Sequence, residues 1–337
     1  MAEIDYPAIL AEAWSQHLTP RELNAPTVIS LFAGCGGSSL GYSMVGFREL
    51  LAVEWDDNAV ATFKMNFPEV LVYHGDIAKL SVDECLRLTN LKPGELDVLD
   101  GSPPCQGFST AGKRNLEDER NQLFREYVRL LRGLQPKIFV MENVSGLVKG
   151  KMKLIFAEIM RELKASGYLV KCQLMNAKYF QVPQSRQRII FIGVREDLGI
   201  VPSHPGAESS TIAAKAALLP MEGMIDLDYP RTLVEAWHRT PFFESVSDGF
   251  ADYKLHPDKP SRSVRKAGAF WHWLKPYPLS QMGYARISSF PDGFSWSGTK
   301  VAGHQCIGNS VPPLFMRAIA KHIRENILAR VDNVNNG

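Results

Sequence analysis

The feature that most constrains the fold is a regular alternation of apolar runs and helical patterns between Thr27 and Arg195. The apolar runs have the length of β-strands, and longer amphipathic patterns separate most of them. The predicted strands are TVISLF, ELLAVEW, VLVYHG, LDVLDG, KIFVMENV, LVKCQLMNAKYF and RIIFIGVR. Strands that alternate with helices form a mostly parallel sheet with helices on both faces, so the sequence predicts an α/β fold.

One connection departs from this alternation. Only QVPQSRQ separates the last two predicted strands, which is too short for a crossover helix. Strands joined so closely run antiparallel. We therefore predict a mixed sheet with an antiparallel hairpin at its edge.

The rest of the chain divides into three further parts. Residues 1–26 contain a short amphipathic pattern and predict a helical extension to a catalytic domain that spans 27–196. Residues 197–280 are rich in Pro and Gly, and they predict a small irregular domain, because a structureless loop of that length is rare in a compact protein. Residues 281–337 are predicted to return to the catalytic domain and to supply a final amphipathic helix.

Composition excludes several classes of protein. The 337 residues include 38 Lys and Arg against 36 Asp and Glu, so a surface uniformly coated in positive charge is not expected. No run approaches the roughly 18–20 apolar residues of a membrane span. Five scattered cysteines without a CxxC pair argue against a zinc site and a disulfide framework. The sequence therefore predicts a cytoplasmic protein with no metal and no membrane partner.

Small and acidic residues follow the first three predicted strands and indicate a cofactor site. Gly34 and Gly36 form a turn before a helix, where backbone can approach a ligand closely. Glu54 ends the next strand about 20 residues later, a spacing at which an acid typically binds a ribose. Trp55 beside it can stack on adenine, and Asp76 can accept from an exocyclic amine. Because these positions share one sheet edge, we expect an adenosine-containing cofactor.

Residues with the chemistry of a reactive centre follow the later strands. Cys105 lies in a stiff turn after two prolines, where a thiolate would be exposed rather than packed in a core. Glu142 ends the neighbouring strand, and Arg186 and Arg188 alternate along one face of the hairpin. All four side chains are therefore predicted to face one crevice.

Together these motifs resemble those of the DNA (cytosine-5) methyltransferases. FAGCGG, EW, GDI, SPPCQGFS, ENV, QSRQR and GNSVPP occur in the order and spacing of that family. The resemblance implies a class I, Rossmann-like methyltransferase fold with a small target-recognition domain, and S-adenosyl-L-methionine as cofactor. The family positions around the cofactor match Phe32, Glu54, Trp55, Asp76, Ile77, Pro104, Leu123, Asn309 and Ser310.

The resemblance also implies a reaction on double-stranded DNA. Because one flipped base needs one active site, a monomer is expected. The Cys105 thiolate adds to C6 of a cytosine flipped out of the duplex, so that C5 can take the methyl group. Loss of the C5 proton and expulsion of the cysteine then release 5-methylcytosine. Glu142 would hold N3 and the amino edge of the base, Arg188 would contact O2, and Arg186 would anchor Glu142 or the loop.

Two stretches are predicted to contact DNA. The segment Gln106–Leu123 is expected to be a mobile loop that closes on the flipped base, and the contacts assigned around it are Ser109, Lys113, Arg114 and Arg120. Residues 254–275 carry six basic residues and one acidic residue, whereas residues 197–252 carry a net charge of −6. The basic stretch interleaves cations with aromatic residues 270–273, and its assigned contacts are Arg262, Arg265 and Lys266. The alternative is a solvated basic loop over a small aromatic core.

Several questions stay open at this level. The Arg–Glu pair usual in the family's penultimate motif is not evident in PYPLSQMGYARISSFP, so how the recognition domain is braced is undetermined. Cytosine-5 methylation of transfer RNA is the main alternative, although the Cys-Phe-Thr signature of that branch is absent. A nicotinamide dehydrogenase would leave Cys105 and Glu142 without a role, and an inactive relative would lack one of them. A restriction endonuclease that shares the recognised site is a further expected partner.

Overall fold

A computed structural model describes residues 4–104, 119–208, 210–228, 233–247 and 252–331. The helices are α1 (Tyr6–Leu18), α2 (Gly37–Met44), α3 (Asp57–Asn66), α4 (Val82–Thr89), α5 (Glu119–Leu134), α6 (Lys153–Lys164), α7 (Ala214–Leu218), α8 (Val234–Arg239), α9 (Gln281–Ile287), α10 (Lys300–Asn309) and α11 (Pro313–Ile323). The strands are β1 (Thr27–Leu31), β2 (Arg48–Glu54), β3 (Leu71–His74), β4 (Val98–Gly101), β5 (Ile138–Val144), β6 (Tyr168–Asn176), β7 (Gln184–Ser185), β8 (Gln187–Arg195), β9 (Tyr253–Lys254), β10 (Ser261–Arg262) and β11 (Phe270–Trp271).

A seven-stranded sheet of order β3-β2-β1-β4-β5-β8-β6 forms the centre of the molecule. Strands β1 to β5 run parallel, and β8 runs antiparallel to both of its neighbours, β5 and β6. The mixed α/β fold, the seven predicted strands and the antiparallel hairpin are thus confirmed. The second strand of the hairpin lies inside the sheet, and β6 forms the edge.

Alternation along the central strands divides the core into two layers. Val28 packs into one hydrophobic cluster and its neighbour Ile29 into the other, because successive side chains of a strand point to opposite faces. The first cluster includes buried residues of α1, α2 and α11, and the second includes those of α4, α5 and α6. All five residues of β1 are buried, as is typical of a parallel strand covered on both faces.

The Pro- and Gly-rich stretch contains short elements and shares most of its core with the sheet. Ile212, Leu218, Leu255 and Phe270 belong to the same cluster as Val28. A separate small cluster consists of Trp237, Val246 and Trp271, with Leu233, Ala236 and Ala269 packed against it. The domain boundaries at 197 and 280 stay predictions.

Two further observations concern the extent of the elements. Helix α5 begins at Glu119, so the predicted loop Gln106–Leu123 is wrong in its last five residues, which start a helix instead. Among the residues that the structure describes, none of the helices combines the length and the apolar composition needed to cross a membrane.

Candidate cofactor and active site

The turn between β1 and α2 has the backbone conformation for which glycine is required. Gly34 has φ of 56° and Gly36 has φ of 96°, and Gly36 caps the N-terminus of α2. A Cβ on Gly36 would lie 2.4 Å from Cε2 of Phe67, so both the conformation and the close approach exclude a side chain there. The turn therefore presents backbone at the carboxyl end of β1 without obstruction.

The Glu54 carboxylate ties this turn to the end of β2. One oxygen accepts from the Gly34 N–H at 2.8 Å, and the other accepts from the N–H groups of Trp55 and Asp56 at 2.9 and 3.0 Å. Trp55 is 77% exposed. At the end of β3, Asp76 accepts from the Ala78 N–H at 2.9 Å and so starts a turn of 3-10 helix. A fixed carboxylate and an open indole therefore stand side by side.

Two adjoining cavities open at this edge of the sheet. The first, of about 850 Å³, lies between the ends of β2 and β3 and the start of α5. The predicted cofactor residues that line it are Phe32, Glu54, Trp55, Asp76, Ile77, Pro104 and Leu123. Its aromatic and aliphatic walls beside the carboxylates of Glu54 and Asp76 fit an adenine and a ribose. Gly36 lines neither cavity, and its contribution is to allow the turn between β1 and α2.

The second cavity, of about 540 Å³, shares Phe32, Glu54, Trp55 and Pro104 with the first. It also contains Gly34, Glu142, Arg186, Arg188, Asn309 and Ser310. The sequence thus predicted a set of residues that the fold brings together from six separate segments.

Glu142 and Arg188 form the charged centre of the second cavity. Arg188 Nε lies 2.6 Å from Glu142 Oε1, and the side chains are 15% and 10% exposed. Asn143 Nδ2 donates to the Pro103 carbonyl at 3.1 Å and so fixes the turn before Cys105 to the end of β5. Cys105, Ser109, Lys113 and Arg114 lie outside the described residues, and Pro104, which precedes Cys105, lines both cavities.

Arg186 lines the same cavity as Glu142, as predicted, but its hydrogen-bond partners differ from the one expected. Its Nη1 donates to the Val264 carbonyl at 3.0 Å and its Nη2 to the Gly308 carbonyl at 3.1 Å. The contact with Glu142 expected of Arg186 is made by Arg188 instead. Burial first and the neighbouring Arg188 second lower the pKa of Arg186 to about 9, partly opposed by Glu142. Arg186 Nε has no hydrogen-bond partner among the described residues.

The GNSVPP motif closes the second cavity from the C-terminal side. Ser310 Oγ lies 3.1 Å from Cys35 Sγ in the glycine turn. Gln305 and Cys306 also line the cavity, and neither was predicted from the sequence. They stand four and three residues before Asn309 on α10, so helical spacing from a predicted site residue is the signal that could have found them.

The aromatic residues of the basic stretch are buried, which corrects the prediction that this whole segment reads DNA. Phe270, Trp271, His272 and Trp273 are at most 8% exposed. Lys254 is also 8% exposed, and its Nζ lies 4.0 Å from the ring centre of Trp237 and bonds that residue's carbonyl. For these residues the alternative interpretation applies, in which a solvated basic loop covers a small aromatic core.

The cations assigned to DNA contact remain at the surface of that core. Arg262, Arg265 and Lys266 are exposed, and Lys266 lines the second cavity. Arg262 lies 4.1 Å above the Tyr253 ring and donates to the Phe243 carbonyl at 2.6 Å. Arg120 lies in the first turn of α5.

Helix α9 supplies the bracing that the altered penultimate motif left open. Arg286 pairs with both oxygens of Asp292 at 2.7 and 2.6 Å and also donates to the Ala217 carbonyl of α7 at 3.4 Å. A Cβ on Gly283 would lie 2.4 Å from the Met224 carbonyl oxygen, so the helix approaches the preceding segment closely there. The Ser280 N–H donates to the same Met224 carbonyl at 2.9 Å. An Arg–Asp pair and backbone contacts therefore hold this region.

Comparison with known protein families gives a match over most of the chain. The model of the C-5 cytosine-specific DNA methylase family matches residues 26–219 and 209–325. The chain is 38% identical over 333 residues to the Type II methyltransferase M1.HphI of Haemophilus parahaemolyticus, covering 88% of this chain and 86% of that protein. It is 31% identical to the Type II methyltransferase M.NgoPII of Neisseria gonorrhoeae, covering 93% and 99% of the two chains.

Solved structures share the architecture. A DNA modification methyltransferase encoded within an Escherichia coli prophage superimposes with a TM-score of 0.76 and 25% identity, covering 93% of this chain and all of that one. The DNMT2 protein of Spodoptera frugiperda superimposes with a TM-score of 0.66 over 91% of this chain. At 18% identity, that second likeness concerns the fold alone.

Proposed function

The chain belongs to the C-5 cytosine-specific DNA methylase family, and from that premise we propose how its residues carry out the family's reaction. The protein is a DNA (cytosine-5) methyltransferase that uses S-adenosyl-L-methionine. When bound, this cofactor supplies an electrophilic methyl group.

The first cavity is the proposed adenosine site. Trp55 covers one face of the adenine, and the apolar side chains of Phe32 and Ile77 bound the ring on other sides. Asp76 accepts from the exocyclic amine, and Glu54 accepts from the ribose hydroxyls while its backbone contacts hold it in place. Gly34, Asn309 and Ser310 line the passage into the second cavity, where the methyl group must reach the base.

The second cavity is the proposed cytosine site, and the buried Glu142–Arg188 pair is the observation that carries this assignment. Glu142 accepts from the amino edge of a flipped cytosine and stabilises the charge that develops at N3. Arg188 donates to the base O2 and keeps the carboxylate oriented. Cys105 follows the fixed Pro103–Pro104 turn, and its thiolate adds to C6 as the nucleophile.

Replacement of Cys105 by Ser tests the nucleophile. We expect methyl transfer to duplex DNA to be abolished, while binding of S-adenosyl-L-methionine stays within about two-fold, because Cys105 forms a bond only with the base. The measurements are transfer of a radiolabelled methyl group and calorimetric cofactor binding. A covalent adduct with a 5-fluorocytosine duplex should form with the wild-type chain alone. An adduct in the serine variant would contradict the assignment.

We further propose that the enzyme acts as a monomer on duplex DNA and is the modification partner of a restriction endonuclease. The Type II names of its relatives support that pairing. Bisulfite sequencing of DNA from cells that express the chain would report both the reaction and the recognised site. Parallel assays on duplex DNA and transfer RNA decide between the two substrates, and methylation of transfer RNA alone would contradict the proposal.

A further inference from the structure

The segment at residues 261–266 crosses from the recognition region to the active site and is held along its inner side. Ser261 and Arg262 form strand β10, which pairs in parallel with β7 immediately before Arg186. The Val264 N–H donates to Gln184 Oε1 at 3.1 Å, and Val264 is buried. The segment is therefore joined to β7, the short strand that directly precedes Arg186 in the chain.

Two further contacts fix the position of the next peptide. Arg186 connects the Val264 carbonyl to the Gly308 carbonyl of the GNSVPP motif. A Cβ on Gly308 would lie 2.4 Å from the carbonyl carbon of Arg265 and 2.5 Å from the backbone nitrogen of Lys266. The peptide between Arg265 and Lys266 thus rests directly on the Gly308 backbone, at a distance that only glycine allows.

Lys266 carries an unneutralised charge into the mouth of the second cavity. Glu142 is already paired with Arg188, and Lys266 makes no ion pair within the described part of the chain. A cytosine that reaches Glu142 brings its own phosphodiester to the mouth of the same cavity. An exposed ammonium group beside that path is suited to a phosphate, which it binds as a point charge.

We propose that Arg186 is a positioning residue that, with Gly308, holds the Arg265–Lys266 peptide so that the Lys266 ammonium binds a phosphate beside the flipped cytosine. This inference rests on the proposed function of the second cavity. The two arginines of the hairpin therefore have different roles, because Arg188 contacts the base and Arg186 positions Lys266.

Lys266→Ala tests the phosphate contact. Steady-state methylation of a plasmid that the wild-type chain modifies should show a KM for DNA that rises about five- to ten-fold, with kcat within about two-fold. The slope of log KM against log salt concentration, taken from about 50 to 250 mM, should fall by about one, since one phosphate contact is lost. Lys92→Ala is the control, because Lys92 is exposed and lies in the loop that leads into the amino end of β4, whereas the cavities lie at the carboxyl ends of the strands. It should change neither quantity.

Gly308→Ala and Arg186→Lys test the positioning. Each should raise the KM for DNA by a factor similar to that of Lys266→Ala. Adding Lys266→Ala to either variant should raise the KM by less than about two-fold more, because the contact between Lys266 and the phosphate is already lost. Thermal unfolding and cofactor binding identify any variant that has lost its fold or its cofactor site. If one of the two positioning variants is lost in this way, the other still tests the positioning. An unchanged KM and salt slope in Lys266→Ala would overturn the phosphate contact. If the rises in KM of the single variants multiply in the double variants, as for independent contacts, the positioning role is overturned. A wild-type chain that methylates no duplex DNA would overturn the proposed function and this inference together.

Discussion

Asp100 is a buried acid in the central strand β4, three residues before the fixed Pro103–Pro104 turn. It is 3% exposed, and its Oδ1 accepts from the Tyr42 hydroxyl at 3.4 Å. Burial first and the nearby Glu49 carboxyl second raise the pKa of Asp100 to about 8. Burial also raises the pKa of Glu49 to about 7. Around neutral pH the folded protein therefore holds protons on carboxyl groups that would be ionised in the unfolded chain.

Asp100→Asn is expected to remove part of the pH dependence of stability. Because the folded pKa exceeds the unfolded value, the stability that Asp100 contributes is complete below about pH 4 and is lost as pH rises through about 8, by up to about 1.4 kcal/mol per pH unit. The variant should therefore gain stability over the wild type at pH 8 and gain much less at pH 5. Urea unfolding at both values measures this. Asp83→Asn, at an exposed position in α4, is the control for removal of a carboxyl group that is not buried.

At the scale of elements, α5 braces the turn that would receive the adenine. Arg129 donates to the carbonyls of Ile77 and Leu80 at 3.1 and 2.8 Å, and its Nε pairs with Glu126 at 2.6 Å. Glu126 and Leu123 of the same helix line the first cavity. The helix thus supplies both a wall of the cofactor site and the support of the opposite wall.

Arg129→Met should weaken cofactor binding without unfolding the helix. We expect the dissociation constant for S-adenosyl-L-methionine to rise by roughly three- to ten-fold, since the Asp76–Ile77 turn loses two charge-assisted hydrogen bonds. Calorimetric titration measures it. Arg132→Met is a matched control on the same helix, because Arg132 instead contacts Ser166 and Glu162 at the far side. A similar loss of affinity in both variants would show that the effect comes from the helix as a whole.

The elements also show what the sequence could and could not reveal. The strand ends were predictable, since apolar runs that stop at Glu54, Asp76 and Glu142 must place those acids at one edge of a parallel sheet. The burial of Trp271 was not, because it depends on Trp237, which lies 34 residues earlier and packs in the same cluster. The hydrogen-bond partners of Arg186 could not be predicted from the sequence either. Two arginines at alternate positions look equivalent in a strand, and only packing against Val264 and Gly308 distinguishes them.

At the scale of the whole molecule, the two ends of the chain complete one core. Tyr6 and Leu10 of α1 lie in the same cluster as Leu328 and Val331 near the C-terminus. Helix α1 also contacts the segment after α9, where a Cβ on Gly293 would lie 2.6 Å from Trp14 Nε1. The segment that precedes the first strand therefore supports the same layer as the helix that follows the last motif.

Leu10→Ala is accordingly expected to destabilise the catalytic core as a unit, although Leu10 precedes every strand of the sheet. Leu10 is 1% exposed, so the truncation should lower the free energy of unfolding by about 2–5 kcal/mol. Leu23→Ala is the matched control, because Leu23 is 89% exposed and its loss should cost less than about 0.5 kcal/mol. Urea unfolding followed by both tryptophan fluorescence and far-ultraviolet circular dichroism measures the two variants. If α1 is integral to the core, Leu10→Ala shifts the midpoints of both signals together. A shift confined to a small early transition, with the main transition unchanged, would instead show that α1 is an appendage that detaches before the sheet unfolds.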